Sequence, residues 1–326
     1  MTNTPAALPL EWISRVRTDF ESDPDLVRRI LEGASTPRWR GLRINRRRGD
    51  FQETLDELRK AGLEGDPTDI GPWVRMVDED TARAVAKHEL ATSGRVVLQS
   101  LSSILAVLAA DPQPGERVLD LCAAPGGKSA LLADLVDGDL ELTANDRSRA
   151  RSHRMKRLLD LLGVDARIRT GPGERFDPRE DASFDRVLVD APCSGEGRFR
   201  TDDADTFDQW SPKAVRRLAS TQKSLLHAAI RLVRPGGVVI YSTCTLGATE
   251  NEAVVRRAID RYGSGPTGVQ LDPLPPTLPS GVGLLDLQDV PNADEAVRRW
   301  VVDPEDPGLG RALDGFFVAR LRRRPR

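Results

Sequence analysis

The chain of 326 residues is 39% hydrophobic and 30% charged, with a formal net charge of −2, three cysteines, three histidines and 15 aromatics. This length suggests two domains with a core large enough to need no staples, and near-average apolar and charged fractions exclude wholesale disorder. Fifty Gly and Pro residues without a repeating triplet exclude a collagen-like chain, and three cysteines roughly 70 and 50 positions apart fit neither a disulfide framework nor a zinc ribbon. A reduced, cytoplasmic protein of enzyme size is expected. Met1–Val16 shows no signal-peptide pattern, and no apolar run approaches the roughly 18–20 residues of a membrane span.

The near-zero net charge hides two arginine clusters. Six arginines fall within Arg38–Arg48 and five within Arg320–Arg326, in a chain with 42 arginines and six lysines. Solvated surface and phosphate binding are equally good readings of such tracts.

Residues 1–90 read as a small mixed domain. Helices are expected near Glu11–Glu21 and Pro24–Glu32, then a basic strand over Gly41–Arg46. A third helix follows, with Phe51, Leu55 and Leu58 on one face, and Gly62–Pro72 reads as a loop. From about Gly94 strands alternate with helices. Strands are expected at Arg117–Leu121, Leu140–Ala144, Ala166–Arg169, Arg186–Val189 and Val238–Tyr241, with helices at Ser129–Val136, Arg149–Leu162 and onward from Ser211-Pro212. Pro235-Gly236 is read as the stop of that last helix, and Thr249 with Glu252 as a capping box for a helix through Ile259. No element is read in Leu271–Leu287; Trp300–Val302 and Phe316–Ala319 are candidate strands of an antiparallel edge. The alternation implies a parallel α/β sheet with its site at strand C-termini.

Asp120-Leu-Cys-Ala-Ala-Pro-Gly-Gly-Lys-Ser129 sits between a strand and a helix, where small residues let a ligand approach free backbone N–H groups. Gly127-Lys128-Ser129 imitates the end of a phosphate-binding P-loop. The glycine required five residues before Gly127 is Cys122, however, and Pro125 interrupts the loop, so a cofactor turn is the better reading. Asp146, about 20 residues from the glycines, suits a ribose diol. Cys193 (Asp190-Ala-Pro-Cys-Ser-Gly195) and Cys244 (Tyr241-Ser-Thr-Cys-Thr245) each follow a strand directly. Adjacent strands would bring both thiols to one rim beside Asp190, which favours chemistry over burial as small hydrophobes. Cys122 reads as structural. His88, His153 and His227 fall on expected helices away from these loops, which gives a Cys–His pair little support.

LDLCAAPGGKS, AND at 144–146, DAPCSG at 190–195, YSTCTL at 241–246 and ENE at 250–252, together with Asp314-Gly-Phe-Phe317 and Leu42-Arg-Ile-Asn45, resemble the Sun/Fmu family of S-adenosylmethionine-dependent RNA cytosine-C5 methyltransferases. The resemblance covers about Gly94–Arg322. It implies a Rossmann-like class I methyltransferase sheet over 91–326 (an α/β fold) preceded by a small N-terminal α+β RNA-positioning domain over 1–90. It further implies S-adenosyl-L-methionine as cofactor and RNA as substrate, rRNA ahead of tRNA, with a monomer expected.

Carried over residue by residue, Cys244 is the nucleophile and Cys193 assists release. Asp190 reads the cytosine N3/N4 edge, as a proton donor at N3, and Lys128 orients Asp190 and favours the thiolate. Cys122, Ala123, Ala124, Pro125, Gly126, Gly127 and Lys128 wrap the methionine portion of the cofactor, Asp146 its ribose. The loop Thr170-Gly-Pro-Gly-Glu174 carries proline near the expected adenine-contacting acid, and Glu174 is the substitute. The two arginine clusters are then expected to grip RNA phosphates.

Overall fold

A computed structural model describes residues 6–263, 268–282, 285, 287–306 and 308–325. Arg326 and positions 283, 284 and 286 of the Leu271–Leu287 segment lie outside it. The elements in chain order are α1 (Leu10–Asp19), α2 (Pro24–Gly33), β1 (Arg40–Ile44), α3 (Phe51–Lys60), β2 (Asp66–Pro67), β3 (Val74–Val77), α4 (Glu79–Lys87), α5 (Glu89–Thr92), β4 (Val96–Gln99) and α6 (Leu101–Ala110). The chain continues with β5 (Glu116–Asp120), α7 (Gly127–Leu135), β6 (Leu140–Asp146), α8 (Arg149–Leu162), β7 (Arg167–Thr170), β8 (Phe184–Asp190), α9 (Pro212–Leu232), β9 (Val233–Thr243), α10 (Glu252–Tyr262), β10 (Val269–Leu271), α11 (Ala293–Ala296), β11 (Val297–Trp300) and β12 (Phe316–Arg323).

The large sheet runs β10–β12–β9–β8–β5–β6–β7, with β11 also paired to β12. β9, β8, β5, β6 and β7 are mutually parallel, and β12 joins β9 antiparallel. The expected α/β Rossmann-like architecture is therefore present. β12 is not an edge, because β10 and β11 cover its free side. Apolar cores fill both faces of the sheet. The chain order reverses between β5 and β8, which opens a crevice at their C-terminal ends.

A smaller antiparallel sheet, β2–β3–β1–β4, takes in Val96–Gln99 as its last strand. Helices α1 and α2 pack elsewhere: Trp12, Val16, Phe20, Leu26 and Ile30 share one core with Phe199, Phe207, Leu246 and Val301, under the loops that follow β8 and β9.

Several local expectations change. Pro235-Gly236 does not stop α9. The helix ends at Leu232, Val233 already pairs with Phe184, and Pro-Gly forms an irregularity inside β9 between the Phe184 and Arg186 pairings. The Thr249/Glu252 capping box is absent; α10 starts after a short 3₁₀ turn, and buried Glu252 instead meets Arg299 at 2.5 Å. His88 lies between α4 and α5, where its Nδ1 accepts the Leu90 N–H. Asp66–Pro67, within the expected Gly62–Pro72 loop, form β2. Helix α6 carries no amphipathic signal because it is apolar nearly all round and enclosed on every side.

The arginine clusters also take a different place. The last carbonyls of a helix have no partner within it and carry the negative end of its dipole. Arg46 donates to Asp134 O near the end of α7 at 2.5 Å, Arg47 to Gly163 O after α8 at 2.8 Å, and Arg48 to Leu161 O at 2.6 Å. Arg320 reaches Ala109 O at the end of α6 at 2.7 Å, and Arg323 reaches Val233 O after α9 at 2.6 Å. Arg43 is wholly buried against Asp134 at 2.8 Å. Burial lowers the Arg43 pKa and raises that of Asp134, both against the attraction of the pair. Removing Arg43 leaves the buried Asp134 carboxylate with only the half-exposed Arg46 facing it at 3.6 Å. Arg43→Met is therefore expected to cost about 3–5 kcal/mol in urea unfolding, whereas the Arg43→Met/Asp134→Leu double variant recovers most of that loss.

Candidate active site

Register builds the rim. In the parallel pairing of β8 with β9, Asp190 stands opposite Ser242, and Ser242 Oγ donates to Asp190 Oδ1 at 3.1 Å. Lys128, in the first turn of α7, donates from Nζ to Asp190 Oδ2 at 2.8 Å and to Ser103 Oγ at 3.0 Å. Burial pulls the Lys128 ammonium down, but Asp190 outweighs it and the net shift is upward. One residue beyond β9, Cys244 Sγ lies 3.2 Å from Cys193 Sγ; both thiols are free and partly buried. The structure thus brings Cys193, Cys244, Asp190 and Lys128 together.

Two buried carboxylates tie the thiol loops to one another. Glu250 accepts from Ser194 N at 3.0 Å, from Ser194 Oγ at 2.5 Å and from Gln222 Nε2 at 2.8 Å; burial raises its pKa. Glu196 accepts from Arg15 at 2.6 Å, from Trp210 Nε1 at 2.9 Å and from the backbone N–H groups of Leu246 and Gly247. Burial alone would raise Glu196; Arg15 overrides it and the net shift is downward. Gly197 N–H donates to Cys244 O at 3.1 Å, and a Cβ on Gly197 would stand 1.8 Å from Gly315 O, so only glycine lets the C-terminal segment cross there.

The two thiols differ in acidity. Cys244 is lowered first by its hydrogen bond with Cys193, then by the charges of Arg198 and Lys128, against burial and Asp190. Cys193 is pushed well up by the same hydrogen bond and by burial. Cys122 is raised well above a free thiol by burial, as befits an inert position. Arg198, in the turn after Cys193, is exposed and is raised chiefly by Cys244. Arg198, Ser242, Ser103, Glu196 and the role of Glu250 escape motif reading. Period-2 alternation could have found Ser242, two residues before Cys244; Arg198 and Ser103 reach the rim only through the fold.

A cavity of about 430 Å³ lies between β4 and the glycine turn. Cys122, Ala123, Ala124, Pro125, Gly127, Lys128, Asp120 and Asp190 line it. Gly126 sits behind, with φ +112° and Met155 Cγ 3.1 Å from where a Cβ would be. Asp146 ends β6 nearly buried, its Oδ1 accepting Ser148 N–H at 2.9 Å and its Oδ2 3.4 Å from Arg151. Glu174 does not reach this cavity and lines another between α9 and α10. Asp120 is fully buried, accepts from Ser129 Oγ at 2.7 Å through Oδ2, and has no partner at Oδ1. A buried acceptor facing such a cavity fits a polar ligand group there.

The family model described as 16S rRNA methyltransferase RsmB/F matches residues 107–297. The chain belongs to this RsmB/F family, the Sun/Fmu family that its motifs resemble. It is 35% identical to ribosomal RNA small subunit methyltransferase F of Serratia proteamaculans, over 97% of the chain and 63% of that protein. Against the probable ribosomal RNA small subunit methyltransferase B of Bacillus subtilis it is 32% identical, over 96% of the chain and 66% of that relative. The chain thus spans somewhat less than two thirds of the length of these RsmB/F relatives. A methyltransferase homolog protein from Pyrococcus horikoshii shares the fold at a TM-score of 0.79 and 25% identity, with 97% of the chain and 96% of that structure covered. Among the described residues, no helix of this RsmB/F chain is long and apolar enough to cross a membrane.

Burial pushes Asp120 up to about 7. A carboxyl raised on folding contributes stability that is full below its unfolded value near 3.8 and is lost as pH rises through about 7. Thermal unfolding of Asp120→Asn should therefore show a stability advantage over the parent chain that grows between about pH 4 and 7 and is flat above. Replacing Arg198 by Leu should move the pH at which Cys244 becomes half-alkylated upward, followed by mass spectrometry of iodoacetamide-labelled peptides.

Proposed function

We propose that the chain is an S-adenosyl-L-methionine-dependent RNA cytosine-C5 methyltransferase acting on small-subunit rRNA through a covalent Cys244–C6 adduct. The observation that carries the proposal is the pair of thiols 3.2 Å apart beside the Asp190–Lys128 ion pair. Family membership and the small-subunit rRNA relatives support methyl transfer to this RNA.

C5 of cytosine is a weak nucleophile. Addition of the Cys244 thiolate to C6 shifts electron density onto C5, which splits one hard step into easier ones. Of the two thiols, Cys244 is the one whose pKa is lowered, first by its hydrogen bond with Cys193, which favours it as the nucleophile. Asp190, ion-paired with Lys128, acts as an acceptor. It suits the cytosine N4–H group, rather than the donor role at N3 that the motif alone suggests. Lys128 and Arg198 offset the negative charge that moves into the ring.

The cofactor supplies an electrophilic methyl group when bound. Asp120 with Cys122–Lys128 would hold it in the cavity beside Asp190, and Asp146 at the end of β6 is assigned to its ribose; Glu174, which lines the α9–α10 cavity instead, does not serve its adenine. Once C5 is methylated, its proton leaves and the C6–Sγ bond breaks, restoring the 5,6 double bond. Cys193, which holds its proton, passes it to the departing Cys244 sulfur and takes up the C5 proton in its place. The base must leave its stack to reach this cleft, so the target is a flipped or single-stranded cytosine.

Cys193→Ala should trap a protein–RNA adduct that survives denaturing electrophoresis, and Cys244→Ala should abolish both the adduct and labelled methyl transfer. Turnover by Cys244→Ala, with no adduct from Cys193→Ala, would overturn the assignment.

A further inference from the structure

The arginine clusters at 38–48 and 320–324 are largely engaged with helix ends and carboxylates, which raises the question of where free positive charge remains. Along several helices, surface cations take an acid one turn away: Arg28 with Asp25 and Glu32, Arg59 with Asp56, Arg83 with Glu79 and Asp80, Lys156 with Asp160, although α8 also leaves Arg149, Arg154 and Arg157 without one among the described residues. On the outer face of α9 no cation takes such a partner. Lys213, Arg216, Arg217 and Lys223 recur at helical spacing on exposed positions, and none makes an ion pair or side-chain hydrogen bond among the described residues.

That stripe runs into a cavity of about 520 Å³ between α9 and α10. Lys223, Arg257, Arg261 and Arg175 line it, with Arg231 at its edge; Glu174 is the one acid among the lining residues. Arg231 is held by Asp181 and the Phe176 carbonyl, and Arg261 lies over the Tyr262 ring. Among the described residues, Lys223, Arg257 and Arg175 have no acid partner. His227, hydrogen-bonded to the Tyr262 hydroxyl at 2.7 Å, is lowered by burial and by Arg261, so it adds no charge and offers a polar floor. At a rise of about 1.5 Å per residue, Lys213 to Arg231 spans about 27 Å along the crossover from β8 to β9, away from the rim and toward the opposite ends of the strands.

We propose that this α9–α10 face is a second RNA-binding surface, which grips the phosphodiester backbone of the substrate at a distance from the base that enters the thiol cleft. The proposal rests on the reading of the chain as an RNA methyltransferase. Unpaired cations at a spacing of one to two turns fit a linear polyanion, because each neutralised phosphate releases a condensed counterion and sequence plays no part. The concavity between the helices admits a sugar–phosphate segment, where a flat patch would touch phosphates only at its surface.

The test compares the full chain with a Lys223→Gln/Arg257→Gln/Arg261→Gln variant and with an Arg28→Gln/Arg59→Gln/Arg83→Gln control of equal net charge. Binding to a small-subunit rRNA transcript is measured as a function of salt, and labelled methyl transfer is measured on the same transcript at saturating concentration. The cavity variant should bind at least about tenfold more weakly near 0.1 M salt and lose about two to three from the slope of log K against log salt. The control should match the parent, and methyl transfer at saturation should be unchanged in both. An unchanged slope in the cavity variant, or an equal loss in the control, overturns the proposal while the methyltransferase reading stands. Absence of methyl transfer by the parent chain overturns the methyltransferase reading instead.

Discussion

Helix ends that face protein rather than water must find donors for their last carbonyls, and here arginine supplies them. Helices α6, α7, α8 and α9 each end against a guanidinium from a distant part of the chain: Arg320, Arg46, Arg47 with Arg48, and Arg323. The donors come from the turn after β1 and from β12. The same contacts therefore fasten the small sheet to one side of the parallel sheet and close the other side with the C-terminal strand. Guanidinium suits the task, since its fixed fork serves two acceptors and it keeps its charge when buried. The cavity at the glycine turn depends on this fastening, because β4 of the small sheet forms the wall opposite Cys122–Lys128.

Within that frame, the chemistry follows from strand register. A slip of one residue between β8 and β9 would turn Ser242 away from Asp190 and carry Cys244 to the other face. The slip is prevented by the buried carboxylates of Glu250 and Glu196, which bind both thiol loops, and by the Gly197–Gly315 crossing. Charge is then distributed asymmetrically. Lys128 and Arg198 favour ionisation of Cys244, while Cys193 holds its proton. Two thiols of the same intrinsic acidity are shifted in opposite directions by their surroundings.

Much of the central alternation was legible from periodicity: α8 occupies the expected residues, and β5, β6, β7 and β8 lie within two residues of expectation at each end. Failures have distinct physical causes. Helix α6 is apolar all round and so lacks the one-sided pattern that reveals a surface helix. Pro235-Gly236 looks like a helix stop, but the preceding Val233 had already entered the sheet and the pair became a strand irregularity. Glu252, placed for a capping box, gains more from pairing with buried Arg299. At the site, the motif residues at strand ends were legible because strand–turn chemistry is local. Arg198, Ser103 and Glu196 were not, since their contacts span loops that meet only in three dimensions.

By itself the sequence determined the strand–helix alternation from β5 to α10, the glycine turn that opens α7, and the two cysteines that follow strands, because these depend on neighbours within a few residues. The tertiary structure alone decided that β8 and β9 are adjacent and in the register that sets the thiols 3.2 Å apart. It also decided the fate of the arginines. A run of like charges records how many donors a segment carries, not which acceptors the fold will present to them, and the clusters at 38–48 and 320–324 found helix carbonyls and carboxylates where the sequence suggested phosphates. The cations that line the α9–α10 cavity are scattered in sequence from Arg175 to Arg261 and become a surface only when α9 packs on α10.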